Sequence, residues 1–227
     1  MATNDSCSGW SNHCCRPDSF VSGFENGEGD KKKQLIAISL LAYMFYTYGM
    51  YSIEQFYNWF YIVYIAILAL SFWSIVYGLV SINRDVLHSI RVTRRIRNIS
   101  IGCLIFVPLM FYSLWIVELI PLMRDGDRID YIYSIFILDM AFVFPAFILS
   151  LVLILKRNAL GLLLAPILFI KTFTVLFSAT LGGLVKQIAD GGGDPLEIAF
   201  YFVFSLAFLA LAVFYLRRIS FEEIRNE

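Results

Sequence analysis

Histidine and cysteine are nearly missing from this chain, and all but Cys103 sit outside its long apolar runs. His13 and His88 are the two histidines of 227 residues, and Cys7, Cys14 and Cys15 are three of the four cysteines. The H-E-x-x-H pattern of a metalloprotease is therefore absent, and so is C-x-x-C for thiol redox work. No Gly-rich phosphate loop and no G-x-S-x-G nucleophile motif occur either. These absences make an enzyme the weaker class, although a carboxylate and an amine alone can support proton transfer. Cys7, Cys14 and Cys15 around His13 invite a zinc reading, but their spacing fits no usual finger. Free thiols are the plainer reading, with lipidation of the paired cysteines as the alternative. No cofactor and no metal are expected.

Charge is scarce as well. Only 16% of the residues are charged and 59% are apolar, where a soluble domain has about a quarter charged and half apolar. The 18 basic and 18 acidic residues cancel, so no net field favours a nucleic acid.

Long apolar runs, by contrast, are abundant. Six of them, about 34–52, 57–82, 99–122, 131–155, 159–185 and 196–216, are each long enough to cross a bilayer as a helix. β-Barrel strands show alternation over about 10 residues instead. The expected fold is an all-α bundle of six transmembrane helices over 34–218, with a mobile polar tail at 1–33 and a short tail at 219–227. The tail 1–33 holds no apolar core of the signal-peptide kind. No internal repeat relates the Tyr-rich first half to the Leu- and Phe-rich second half.

Lys and Arg fall on one side of this bundle. Fourteen of them (Arg16, Lys31 to Lys33, Arg84, Arg91, Arg94, Arg95, Arg97, Lys156, Arg157, Arg217, Arg218 and Arg225) lie on the N-terminal side, against Arg124, Arg128 and Lys186 on the other. The positive-inside rule then places both termini in the cytoplasm and the protein in the cell membrane. Arg84, Arg91, Arg94, Arg95 and Arg97 read as an anchor on anionic headgroups of the lipid bilayer. A docking site for a cytoplasmic partner is the alternative.

Two charges fall inside spans: Asp139 in the fourth and Lys171 in the fifth. Each would cost about 2.5–3.5 kcal/mol at the centre of a lone helix. The two spans are joined by a hairpin at Lys156 to Asn158, so a buried Asp139–Lys171 ion pair is expected. It is either a site for a small solute, an ion or a proton, or a strut that registers two helices. Lys171, Thr174, Ser178 and Gly182 share one helical face, and Ser71, Ser74, Gly78 and Ser81 form a similar stripe on the second span. Such faces let helices pack closely, or they line a wet path. Tyr43 and Tyr46 lie deep enough that their hydroxyls need partners, and an aromatic box for a cation is one use for them. Glu118 is the other carboxylate within reach of the path.

Pro108, Pro145 and Pro166 interrupt three consecutive spans and release the carbonyls of Leu104, Ala141 and Leu162. Tyr51, Tyr57, Trp59 and Tyr61 suit an interfacial aromatic belt. Asp125, Asp127 and Asp130 give only a fragment of a calcium loop, and a solvated loop is expected there. Pro195 is placed to start the last helix.

The run Tyr43-Met-Phe-Tyr-Thr-Tyr-Gly49, together with Leu138-Asp-Met-Ala-Phe-Val-Phe-Pro145 and on through Lys156-Arg157, Gly161 and Pro166 to Lys171, resembles a group of uncharacterised prokaryotic six-span membrane proteins. The resemblance extends from about Leu40 to Val185. It implies the six-span topology and draws attention to Asp139 and Lys171, and it implies no substrate.

Overall fold

The computed structural model describes residues 28–55, 57–82, 90–125 and 133–221. Six helices among them are long and apolar enough to cross a membrane: α1 (Glu28–Ile53), α2 (Tyr61–Val80), α3 (Arg94–Asp125), α4 (Tyr133–Leu155), α5 (Ala159–Asp190) and α6 (Pro195–Arg218). Cys7, His13, Cys14, Cys15, Arg84, His88, Asp127, Arg128 and Asp130 lie outside the described residues.

The helices outrun the apolar segments that announce them. α1 begins at Glu28, so Lys31 to Lys33 stand in its first turns, where Lys33 Nζ meets Asp30 Oδ1 at 2.8 Å. α3 begins at Arg94, five residues before its apolar run. At 1.5 Å per residue, the 32 residues of α3 make a rod of about 48 Å, longer than the hydrocarbon layer of about 30 Å. The first turns of α1 and α3 are the polar part of these helices.

Local chemistry sets the helix ends. Asn158 caps α5 by accepting from the Leu160 N–H at 3.0 Å, and Asp194 caps α6 by accepting from the Leu196 N–H at 2.9 Å. Pro195 then occupies the first turn of α6, as expected. Gly191 ends α5 in the left-handed region at φ +65°. In the α4–α5 hairpin a side chain at Gly161 would place its Cβ 2.6 Å from the Ile154 backbone nitrogen. Only glycine permits this approach.

α5 is the hub of the bundle. It packs against α1, α4 and α6, while α2 packs on the far side of α1 and α3 on α4. Ile62, Leu70, Trp73 and Val80 of α2 are exposed in the isolated chain. A surface of this kind belongs against lipid rather than water. Inside, buried Ser39, Ser71, Ser100, Ser134, Ser150 and Ser205 let the helices approach, and Ser150 Oγ crosses the hairpin to the Gly161 carbonyl at 3.2 Å.

One element was not legible in the sequence. β1 (Ile90–Arg91) pairs antiparallel with β2 (Ser220–Phe221), tying the segment before α3 to the end of α6. Ile90, Phe221, Ile219, Ile96 and Leu35 are buried around this ladder, and Lys31 Nζ lies 5.5 Å from the centre of the Phe221 ring. Here too Tyr215, fully buried on α6, donates its hydroxyl to the Leu162 carbonyl at 2.8 Å. That carbonyl is the one Pro166 leaves without an amide partner.

Candidate functional site

α4 departs from regular helix where its carboxylate stands. Asp139–Val143 form a π turn, with the Phe144 N–H reaching back five residues to the Asp139 carbonyl. In that register Pro145 fails to donate to Met140 rather than to Ala141, and Tyr112 Oη of α3 donates to the Met140 carbonyl at 3.0 Å. The extra residue of a π turn rotates the helical turns on its N-terminal side relative to those on its C-terminal side, and such turns are frequent at functional sites.

The turn presents Asp139 to α3 and α1. Trp115 Nε1 of α3 donates to Asp139 Oδ2 at 3.2 Å, and the Tyr46 hydroxyl of α1 stands near the carboxylate. Lys171 Nζ of α5 lies 3.8 Å from the centre of the Tyr46 ring. A connected series therefore runs Trp115, Asp139, Tyr46, Lys171, drawing one side chain from each of α3, α4, α1 and α5. Tyr46 neighbours both charges, the ammonium over its ring face and the carboxylate near its hydroxyl, and the two charges lie within electrostatic reach of each other.

This corrects the expected buried ion pair. Lys171 is buried, with 6% of its surface exposed, but Asp139 is only half-buried. No ion pair within 4.0 Å joins them. In place of a direct pair, the ammonium lies on the Tyr46 ring face. A desolvated cation–π contact contributes about 2 kcal/mol or more, which offsets part of the cost of burying the ammonium. The cation for which the aromatic side chains are suited is the chain's own lysine.

The other expected site residues divide. Tyr43 Oη and Ser178 Oγ share a hydrogen bond of 2.8 Å, which joins α1 to α5 a second time. Thr174 Oγ1 turns back to its own helix, to the Lys171 and Ile170 carbonyls at 2.8 and 3.1 Å. Ser71 Oγ does the same with Ile67 and Leu68 at 2.7 and 3.0 Å. Ser74 and Glu118 stand at the exposed surface, so the second-span stripe does not reach the Tyr46 cluster, although Glu118 is within electrostatic reach of Tyr201.

Sequence reasoning passed over Trp115, Tyr112 and Tyr201. The first two lie three residues apart in an apolar run, each with a polar tip, and that spacing was the available signal. Tyr201 Oη donates to Glu197 Oε1 at 2.8 Å. Glu54, beyond the end of α1, was also missed. Its Oε1 accepts from both the N–H and Oγ of Ser134, at 3.0 and 2.6 Å, and holds the first turn of α4.

No protein family matches the chain, and comparison with curated proteins and with solved structures finds no match. The functional reading therefore rests on the residues themselves.

Proposed function

We propose that the protein binds or passes a small solute or ion through the bundle, at the site formed by Lys171, Tyr46 and Asp139. The observation that carries this reading is a buried ammonium held on an aromatic face, with a half-buried carboxylate within electrostatic reach that makes no direct ion pair with it. Charges inside spans are costly and mark solute and ion pathways. Ser178 and Tyr43 lie on the same α1–α5 seam and would border the path. In this reading both termini face the cytoplasm of the cell membrane, and Arg84, Arg91, Arg94, Arg95 and Arg97 meet anionic headgroups.

A second reading has an observation of its own. The series from Trp115 to Lys171 touches four helices, which suits a scaffold or sensor in which the polar groups only register the bundle. Two side-chain changes separate the readings. In reconstituted vesicles, Asp139→Asn and Lys171→Met should each lower solute-dependent flux or binding at least tenfold while the purified protein stays monodisperse. Unchanged flux in both variants would sink the solute reading and leave the scaffold.

A further inference from the structure

Many hydroxyl groups in this bundle are consumed locally. Ser39, Ser52, Ser71, Ser113, Thr174 and Thr180 each donate to a carbonyl one turn back in their own helix. In lipid that is the default use of a serine or threonine. Three buried hydroxyls among the described residues have no partner: Ser100 on α3, Thr172 on α5 and Ser205 on α6, of which the last two concern the Lys171 region. Of these two, Ser205 is 0% exposed.

Their placement relates them. α5 and α6 run antiparallel, with Phe169 and Phe208 in ring contact at 6.3 Å and Leu162 bonded to Tyr215. Thr172 is three residues beyond Phe169 and Ser205 three residues before Phe208, so each shares the inward face of its neighbour. In that register the two positions stand opposite each other at one level of the seam. Lys171 precedes Thr172, and its ammonium, with three donors, has no hydrogen-bond acceptor among the described residues. Tyr46, against which it leans, is within electrostatic reach of Tyr201, one turn from Ser205 on the same face of α6. Lys171, Thr172 and Ser205 thus lie at one level of α5 and α6 without a hydrogen-bond acceptor, and the charge within electrostatic reach of the ammonium is that of Asp139.

Buried donors without acceptors are costly, above all a charged one. We infer that Lys171, Thr172 and Ser205 form an anion subsite, and that the solute is a small anion of carboxylate or nitrate size. The assignment rests on the solute reading above and gives its charge. Asp139, already held by Trp115, is not a ligand of the anion and its charge opposes binding.

The test uses the full chain purified in a neutral detergent. Its thermal midpoint is followed against sodium acetate and sodium nitrate, with sodium gluconate holding ionic strength constant and choline gluconate as the cation probe. Acetate or nitrate should raise the midpoint saturably. Lys171→Met should weaken that binding about ten- to a hundredfold, and Thr172→Val or Ser205→Ala about three- to tenfold, as for lost charged and neutral hydrogen bonds. Asp139→Asn should tighten it. If Lys171→Met does not fold, Ser205→Ala carries the test alone. Absence of any acetate or nitrate shift in the unaltered protein overturns the anion assignment. A choline response abolished by Asp139→Asn also overturns it, while leaving the solute reading intact. Loss of flux dependence on both charged residues overturns that reading instead.

Discussion

Two prolines break two neighbouring helices, and a tyrosine hydroxyl from another helix mends each break. Pro166 of α5 frees the Leu162 carbonyl, which Tyr215 takes, and Pro145 of α4 frees the Met140 carbonyl, which Tyr112 takes. The surroundings differ. Tyr215 is fully buried in the same apolar core as Ile96, Leu163 and Ile219, and no charged side chain takes part in the repair. Tyr112 is half-buried and lies one turn from Trp115, which holds Asp139. The same device serves closure in one place and positions a charge in the other. The first proline leaves α5 otherwise regular, whereas the second accompanies a π turn that begins at the carboxylate itself.

The sealed repair is the stronger, and breaking it should give the largest effect. Tyr215→Phe keeps the ring and removes only the donor, leaving the Leu162 carbonyl without a partner in an apolar surround. A stability loss of about 1–2 kcal/mol is expected, between the average for membrane interhelical hydrogen bonds and the cost of an unsatisfied buried group. For a chain of this size that is a fall of roughly 2–8 °C in the thermal midpoint. A loss no greater than that of a surface Tyr→Phe control would mean that the carbonyl is satisfied in another way.

A sharper form adds Pro166→Ala. Alanine restores the amide that Leu162 lacks, so Tyr215→Phe in that background should cost less than about 0.5 kcal/mol. The difference between the two backgrounds isolates the repair from the ring packing. Equal costs in both would assign the role of Tyr215 to packing alone.

The six long apolar helices were legible because each is announced by an apolar run of that length. Their ends were not, since hydropathy reports only the apolar run and the helix continues past it, as α1 does from Glu28 and α3 from Arg94. The charged residues of the site were legible one by one, because an Asp139 or a Lys171 is conspicuous in an apolar run. So was the need of Tyr43 and Tyr46 for polar neighbours: Tyr43 bonds Ser178, and the Tyr46 hydroxyl stands near Asp139. Their mutual geometry was not. A helical wheel assumes 100° per residue, and the π turn at Asp139–Val143 inserts one residue that breaks the count. The ladder strands have two residues each, too few for any period to show. Thr172 and Ser205 look in sequence like the serines and threonines that bond to their own helices, and only the register of α5 on α6 sets them apart.

The exposed repair carries the smallest stability effect and the more informative one. Tyr112→Phe removes the donor to Met140, but at a half-buried position water or a shift within the π turn can replace it, and about 0.5 kcal/mol is expected. Its consequence should appear at the site. Met140 is next in the chain to Asp139, so a relaxed turn lets the carboxylate move away from Trp115 Nε1 and from the Tyr46 hydroxyl. Tryptophan emission of the Trp115 population should then change, and solute affinity should change with it, although Tyr112 touches neither charge. Tyr215→Phe should leave both readings as they are, since its carbonyl lies on the far side of Pro166 from Lys171. If Tyr112→Phe disturbs neither emission nor affinity, the π turn is held by α4 alone, and the two prolines differ only in depth.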